Sequence, residues 1–293
     1  MPVLLPRTVD DATAMLADEP EVTLLCGGTD LMVEVNDGHR RPERSVMVVN
    51  RIAELRSWSH DPAAGTVTVG AAVTYSELMQ EPLSSLVPAL AEAARTVGSP
   101  QIRNAGTLGG NLGTSSPAGD GLPVLAASDA VVELASATGS RTMPVGEFTV
   151  GVKRTALQPG ELVVSVTLPI ARGWQGYAKV GVRNAMVIAV ASACLVVDEP
   201  SRRVGIALGS VGPTVLRCPE AEGHLAASID WASGTVEPTD IDRFGELASA
   251  ESRPITDHRS TAEYRRHAVG VLARRLARRA FAVGTSNETG RLE

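Results

Sequence analysis

The sequence is poor in cysteine, lysine and aromatic residues. Its 293 residues contain three cysteines, Cys26, Cys194 and Cys218, and none of these forms a CxxC pair or another spacing typical of zinc or iron–sulfur ligands. Such a sparse, odd count predicts a reducing compartment and no disulfide framework. With 3% aromatic residues and a formal net charge of −6, the chain also lacks the basic, base-stacking surface of a nucleic-acid-binding protein.

Long apolar runs are scarce as well. The best candidate, residues 186–197, is interrupted by Ser192 and is shorter than the roughly 20 residues that a membrane-spanning helix needs. The first residues contain neither a charged segment nor a long apolar segment, so no signal peptide is predicted. We therefore expect a cytoplasmic protein. The five histidines show no metal-ligand spacing, and no Ser/His/Asp or Cys/His arrangement is recognisable.

The apolar pattern alternates between strand-like and helix-like blocks, which predicts a mixed fold. A capped helix beginning at Thr8, strands at 22–26 and 45–49, and a helix beginning near Thr29 form a βαβ-like unit. The C-terminal part contains strand candidates at 175–182, 187–197 and 203–208, followed by helices near 240–250 and 261–283. The predicted divisions of the chain are residues 1–55, 56–170 and 171–283, with a tail at 284–293.

The first candidate site is a glycine-containing turn between a strand and a helix. Paired Gly27 and Gly28 follow the strand at 22–26, and Thr29-Asp30 begin a helix. Glycine lets a ligand approach the bare backbone, and a helix N-terminus offers unpaired N–H groups to phosphate. A tight strand–helix turn without a ligand is the alternative. The spacing matches neither the dinucleotide-binding fingerprint nor a P-loop.

The second candidate site is richer in glycine. Four glycines lie within eight positions, at Gly106, Gly109, Gly110 and Gly113, and ordering them costs conformational entropy. Side chains that can bind a ligand accompany them: a guanidinium at Arg103, hydrogen-bonding groups at Thr107 and Asn111, and a carboxylate at Asp120. The alternative is a mobile loop that binds nothing.

Two such segments in one chain favour a ligand that bridges them. A diphosphate between two nucleosides is long and doubly charged, and backbone amides from two loops can hold it without lysine or metal. Only two of the 27 basic residues are lysines, Lys153 and Lys179, which fits a site built on neutral donors and one arginine. The residues therefore predict a nucleotide or dinucleotide site between the first two parts of the chain, but not its chemistry.

These segments resemble the FAD-binding, or medium, subunits of the molybdenum hydroxylases, a family that includes xanthine dehydrogenase and carbon monoxide dehydrogenase. The resemblance covers almost the whole chain, and its most specific motif is Gln101-Ile-Arg-Asn followed by Thr107-Leu-Gly-Gly-Asn111. Further similar motifs are Cys26-Gly-Gly-Thr-Asp-Leu31, Asp120 with Pro123, Gly160-Glu-Leu-Val163, Tyr177-Ala-Lys179, and the segments 211–217 and 257–265.

The resemblance implies an α+β fold of three parts. A two-part FAD-binding domain of the molybdopterin-dehydrogenase (PCMH) type holds FAD in its crevice, and a C-terminal α+β domain with a small, three-stranded antiparallel sheet packs behind it. The FAD contacts that it implies are Leu24, Leu25, Cys26, Gly27, Gly28, Thr29, Asp30, Leu31, Val97, Ile102, Arg103, Thr107, Leu108, Gly109, Gly110, Asn111, Asp120, Val163 and Lys179.

The implied activity is electron transfer. A large molybdopterin-binding subunit hydroxylates the substrate, and a small subunit with two [2Fe–2S] clusters passes the electrons to noncovalent FAD on this chain, in a dimer of heterotrimers. NAD⁺, oxygen or a quinone then takes them. Because the cofactor carries the chemistry, no catalytic residue and no metal ligand is expected on this chain.

The sequence departs from the family at two informative positions. Val187 stands where the family often has an acidic residue, which leaves the electron acceptor open. Cys26 stands where alanine or valine is common, and we expect a small, buried packing residue there. No histidine adjoins either glycine segment, so covalent flavin is not expected.

Two alternatives to the electron-transfer subunit remain open. One is a self-sufficient FAD oxidoreductase, for which Tyr177, Arg183 and His224 are the candidate base residues. The other is a scaffold that has lost its flavin. The arginines of the last helix, Arg265, Arg266, Arg274, Arg275, Arg278 and Arg279, are expected to form a solvated face, with docking of an acidic partner as the alternative.

The second glycine segment yields a first testable prediction. Gly109→Val or Gly110→Val should abolish FAD binding with little loss of fold, because a β-branched side chain blocks approach to the backbone. Flavin absorbance of the purified variants measures the effect. Normal flavin content in both would show that this segment does not cradle a diphosphate.

Overall fold

The computed structural model describes residues 2–39 and 44–283, and its chain begins with a small parallel sheet. The order of strands is β1-β3-β2, and both pairs are parallel, which confirms the predicted βαβ pattern. Thr8 caps the first helix by accepting a hydrogen bond from Asp11 N at 3.0 Å. The predicted tail at 284–293 lies outside the described residues. The elements are β1 (Val3–Leu4), α1 (Val9–Asp18), β2 (Thr23–Leu25), α2 (Leu31–Asn36), β3 (Val46–Val48) and α3 (Ala53–Arg56).

The central part is built on an antiparallel sheet of order β4-β5-β10-β6-β7. Its middle strand is the longest and has five buried residues among eight. The elements are β4 (Trp58–Asp61), β5 (Thr66–Gly70), α4 (Tyr75–Leu78), α5 (Leu83–Leu86), α6 (Pro88–Thr96), α7 (Pro100–Ala105), α8 (Leu108–Thr114), α9 (Gly121–Ala127), β6 (Val131–Ser136), β7 (Gly139–Pro144), α10 (Val145–Phe148), β8 (Thr149–Gly151), β9 (Arg154–Thr155) and β10 (Leu162–Pro169).

The glycine-rich stretch predicted as a loop contains three short helices, α7, α8 and α9. Glycine is less favourable than alanine in a helix by about 1 kcal/mol per residue, so these glycine-containing segments were not predicted as helices. Their starting signals are nevertheless in the sequence. Ser99 precedes Pro100 and accepts from Ile102 N at 3.3 Å, and Thr107 accepts from Gly110 N at 3.0 Å.

The C-terminal part is an antiparallel sheet covered by helices. The sheet has four strands in the order β11-β12-β13-β14 rather than three, because residues 216–217 add a short edge to β13. The second strand begins at Ala191, so residues 181–190 form a loop and not the strand start that the apolar run predicted. The elements are β11 (Gln175–Val180), β12 (Ala191–Asp198), β13 (Arg203–Gly209), β14 (Leu216–Arg217), α11 (Pro219–Ser228), β15 (Thr235–Val236), α12 (Pro238–Glu251), α13 (Ala262–Ala280) and β16 (Ala282–Val283).

Strand β12 joins the two hydrophobic cores of the molecule. Its side chains alternate, so that Cys194 and Val196 face the core of the first two parts of the chain while Ala193, Leu195 and Val197 face the core under α11, α12 and α13. Burial on both faces explains why this strand reads as one continuous apolar run. Within residues 2–39 and 44–283, no helix has the length and apolar character needed to cross a bilayer.

Arg265 is buried, and the expectation of a solvated arginine face is wrong for this residue. Its guanidinium donates to Val190 O at 2.8 Å and Ser210 O at 2.9 Å, and it forms an ion pair with Asp257 at 2.6 Å. The signal was present in the spacing, since Arg265 lies four residues before the buried Val269 on the same helix face. The side chain therefore ties α13 to the start of β12.

This clamp yields a prediction about stability. Arg265→Ala should lower the free energy of unfolding by about 3 kcal/mol, because two buried carbonyls and a partly buried carboxylate lose their donor. Arg266→Ala, an exposed neighbour on the same helix, is the control and should change it little. Urea unfolding followed by circular dichroism measures both. Equal values for the two variants would contradict the assigned role.

Candidate cofactor site

A cavity of about 800 Å³ lies where the two glycine segments meet. Its size falls within the range of about 300–1,000 Å³ that small-molecule and cofactor sites occupy. Most of the residues predicted from the sequence line it. They are Leu24, Leu25, Cys26, Gly27, Gly28, Thr29, Asp30, Leu31, Val97, Ile102, Thr107, Gly109, Gly110, Asn111, Asp120 and Val163.

The two segments touch through Gly27. A Cβ at this position would come within 1.9 Å of Ala105 O, at the end of α7, so only glycine permits the contact. Gly28 follows with a φ of +73°, a left-handed conformation that reverses the chain into α2. The two walls of the cavity therefore meet only because Gly27 places no side chain between them.

Gly109 and Gly110 have different roles. A Cβ on Gly109 would lie 2.5 Å from Ala71 Cβ and 2.6 Å from Ala71 O, so Gly109→Val would displace α8 from the central sheet and damage the fold. The expectation that this variant leaves the fold intact is therefore wrong. A Cβ on Gly110 meets only Thr107 Oγ1 at 3.0 Å, and Gly110 lines the cavity. Gly110→Val is the informative variant, with Gly146→Val, an exposed helical glycine without neighbours, as its control.

Cys26 lines the cavity and is half-buried rather than buried. Its thiol accepts a hydrogen bond from Thr107 Oγ1 at 3.5 Å, which links the first glycine segment to the cap of α8. Burial raises the pKa of the Cys26 thiol, so the neutral form predominates near neutral pH. A neutral thiol is a weak nucleophile, which leaves this residue a packing role at the cavity wall.

Asn111 brings an unsatisfied acceptor to the site. Its Oδ1 is buried and has no hydrogen-bond partner among the described residues. A buried acceptor without a donor costs about 1–3 kcal/mol, and a bound ligand with a hydroxyl or N–H group would remove that cost. Together with the bare backbone at Gly27 and Gly110, this suits a polar ligand held largely by neutral groups.

Arg103, Leu108 and Lys179 do not line the cavity. Arg103 acts behind the wall, where its guanidinium donates to Val97 O at 2.9 Å and Gly98 O at 3.0 Å and so holds a segment that does line it. Leu108 is fully buried in the core. Lys179 lies behind Asp120.

Asp120 lies at the centre of a buried polar cluster. One carboxylate oxygen accepts from Lys179 Nζ at 2.8 Å, and the other accepts from Tyr177 Oη at 2.7 Å. Lys179 also donates to Thr96 O at 2.9 Å, at the end of α6. Burial raises the pKa of the Asp120 carboxyl, and the Lys179 ammonium and the Tyr177 hydroxyl oppose that effect. The carboxylate is thus fixed from behind by two side chains of β11.

Several lining residues escaped the sequence analysis. Lys153 lines the cavity beside Glu34, and the scarcity of lysine was the only signal for it. Met186 and Ile188 line it from the loop before β12, where the apolar pattern predicts the start of a strand, and they flank Val187, which the sequence analysis had noted as a departure from the family.

The three candidate base residues for a self-sufficient oxidoreductase, Tyr177, Arg183 and His224, do not lie together in the structure. Tyr177 is held by Asp120, and burial together with that carboxylate raises the pKa of its hydroxyl. Arg183 donates to its own loop, at Ala185 O and Met186 O. His224 lies beside Asp240, between helices of the C-terminal part. Among residues 2–39 and 44–283, no group of His, Cys, Asp and Glu side chains is placed to hold a metal ion.

Two family models match the chain in succession. The FAD binding domain in molybdopterin dehydrogenase matches residues 1–171, and the CO dehydrogenase flavoprotein C-terminal domain matches residues 177–280. The first therefore contains both glycine segments and the cavity. The second contains β11 with Tyr177 and Lys179.

Individual relatives are similar over nearly the whole chain. A putative xanthine dehydrogenase FAD-binding subunit of Escherichia coli is 28% identical, with 94% of each chain covered. The carbon monoxide dehydrogenase medium chain of Hydrogenophaga pseudoflava is 30% identical, with 94% of this chain and 96% of the relative covered. A crystal structure of a Cu,Mo-CO dehydrogenase shares the fold with a TM-score of 0.85 at 28% identity, covering 96% of this chain and 97% of that one.

The Asp120 cluster yields a prediction with a pH dependence. Lys179→Met should lower the free energy of unfolding by about 3 kcal/mol at pH 7, because it leaves a buried carboxylate without its counter-ion. The loss should shrink as the pH falls. Asp120 then has a folded pKa well above its unfolded value of about 3.9, so the folded state binds its proton first and gains stability relative to the unfolded state at low pH.

The control for that prediction is the double variant Asp120→Asn with Lys179→Met. It removes both charges and should be less destabilised than Lys179→Met alone. Guanidinium unfolding between pH 4 and pH 8 measures the series. A single variant with a deficit that does not depend on pH would contradict the coupling between the two groups.

Proposed function

The chain belongs to the family of the FAD binding domain in molybdopterin dehydrogenase, and from this premise we propose that it carries electrons between two partners. It takes them from the [2Fe–2S] clusters of a small subunit and delivers them, through its bound FAD, to an external acceptor. Relatives along its whole length are FAD-binding subunits or medium chains of xanthine and carbon monoxide dehydrogenases. The chain is accordingly an FAD-binding medium subunit of the molybdenum hydroxylase type.

The observation that carries the proposal is the cavity formed by both glycine segments. Its walls bring backbone without side chains at Gly27, Gly28 and Gly110 next to the ligand, and the lining residue Asn111 has a buried acceptor without a donor among the described residues. We assign the FAD contacts to the sixteen predicted residues that line the cavity. Arg103, Leu108 and Lys179 then act as supports that position this lining.

The bound cofactor supplies the redox chemistry, and the residues of the chain position it and exclude water. Asp120 is held rigid by Tyr177 and Lys179, so it presents a fixed carboxylate edge to the cavity. Leu25, Val163 and Val97 give the cavity apolar walls. Electron transfer through the cofactor needs no acid–base catalyst on this chain.

We propose that the flavin is noncovalent. No histidine lines the cavity among the described residues. The lining cysteine, Cys26, is shifted by burial towards its neutral and poorly nucleophilic form. Tyr75 also lines the cavity, and burial raises the pKa of its hydroxyl far above neutrality.

We infer that the clusters and the molybdenum cofactor lie on other chains. Cys194 and Cys218 are both buried, and within residues 2–39 and 44–283 no group of His, Cys, Asp and Glu side chains is placed to hold a metal ion. The proposed assembly joins this chain to a large molybdopterin-binding subunit and a small [2Fe–2S] subunit as a dimer of heterotrimers. The cytoplasm is its proposed location.

The visible spectrum of the purified chain tests the cofactor assignment. We expect flavin bands that pass into the supernatant after acid precipitation, because no covalent bond holds the cofactor. Gly110→Val should lose these bands while Gly146→Val keeps them. Bands that remain with the precipitate would indicate covalent flavin, and their absence even after addition of FAD would contradict the assignment.

Electron transfer requires a second measurement in the assembled complex. We expect the substrate of the complex to bleach the flavin absorbance of this chain only when both partner subunits are present. Bleaching of the isolated chain by that substrate would instead support the self-sufficient oxidoreductase.

A further inference from the structure

Two polar bridges connect the first part of the chain to the central part at the cavity. Lys153 Nζ forms an ion pair with Glu34 Oε1 at 2.6 Å, and Thr114 Oγ1 donates to Asp30 Oδ2 at 2.9 Å. All four residues line the cavity. Each bridge joins α2 of the first part of the chain to the central part. A ligand lying between the two glycine segments is therefore enclosed by contacts that connect the two walls.

The central end of these bridges is firmly built. Lys153 lies at the tip of the β8–β9 hairpin with a φ of +52°, and Ser115, at the end of α8, has a φ of +46°. Lys153 N donates to Ser115 O at 3.1 Å, and Ser115 Oγ donates to Arg154 O at 3.4 Å. Left-handed conformations at residues other than glycine persist where the surroundings enforce them. The hairpin tip is therefore fixed to the end of α8, and Lys153 is presented from a rigid base.

Helix α2, which the bridges connect to the central part, has little packing of its own. Helix α2 has six residues and none of them is buried, and its apolar Met32 and Val33 are exposed by 45% and 57%. A segment with so few buried apolar contacts opens at low free-energy cost. The polar bridges to Thr114 and Lys153 thus supply contacts that packing does not supply here.

We propose that Lys153 and Glu34, together with Thr114 and Asp30, form a clasp that slows the release of FAD by holding α2 over the cavity. This inference rests on the proposed position of FAD in that cavity. Opening the clasp lets α2 move away with the first glycine segment, which precedes it directly. The charged bridge is partly exposed, 57% at Lys153 and 29% at Glu34, so it can break and re-form in solvent.

The clasp predicts a kinetic effect. Lys153→Met and Glu34→Gln should each accelerate FAD release about fivefold, which is the scale of an exposed ion pair, and the double variant should be no faster than the faster of the two single variants. Arg154→Met, an exposed neighbour on the same hairpin, is the control and should release FAD at the wild-type rate. The bound flavin remaining after timed passage of the full chain through a desalting column gives the rate.

Ionic strength provides an independent readout. Salt screens an exposed ion pair over about 10 Å at 0.1 M, so FAD release from the wild-type chain should become faster as salt is added. Lys153→Met should show no such response. A structural defect caused by the substitution would not remove the salt dependence selectively.

The outcomes separate the clasp from the function on which it rests. A wild-type chain that binds no FAD overturns the proposed function. A chain that binds FAD and releases it at the same rate in Lys153→Met, Glu34→Gln and wild type overturns the clasp alone. Faster release in Lys153→Met with slower release in Glu34→Gln also overturns it, because Lys153 would then bind the diphosphate in competition with Glu34.

Discussion

The buried carboxylate of Asp120 is the constraint on which the arrangement of the site depends. It cannot be solvated, so its charge is balanced by Lys179 and its second oxygen is satisfied by Tyr177. Both partners lie on β11 in the C-terminal part, while Asp120 lies at the cavity in the central part. Lys179 also binds the last carbonyl of α6, just before the cavity-lining residues Val97 and Gly98. The ion pair and the hydrogen bond of Asp120 thereby hold the C-terminal sheet in place relative to the cavity.

Close approach of backbones is the second constraint, and it gives the glycines two separate tasks. Gly27 and Gly109 are needed by the protein itself, because Ala105 O and Ala71 occupy the space that a side chain would fill. Gly28 is needed as well, since its φ of +73° reverses the chain into α2, whereas an added Cβ at Gly110 would meet only Thr107 Oγ1, and Gly110 lines the cavity. A glycine-rich motif thus combines positions required for folding with positions required for the ligand, and spacing alone does not tell them apart.

Local periodicity predicted the parallel βαβ unit and the main strands, and sixteen of the nineteen residues that the family resemblance implied as FAD contacts line the cavity. Sequence reasoning did not find the positions of side chains that are held by residues distant in sequence. Arg265 was expected in solvent, but its partners Val190 and Ser210 lie 75 and 55 residues away. Lys179, which the resemblance implies as an FAD contact, does not line the cavity and forms an ion pair with Asp120, 59 residues away in sequence. Lys153 reaches the cavity only because the hairpin is fixed to Ser115.

The two segments matched by family models are not electrostatically independent of each other. The matched segments divide between residues 171 and 177, yet Lys179 of the second neutralises Asp120 of the first, and Tyr177 of the second donates a hydrogen bond to it. A chimeric protein joined at that boundary would place β11 of another protein beside the FAD-binding domain. Such a chimera is compatible with the cavity only if the incoming strand brings a cation and a hydroxyl in the same register.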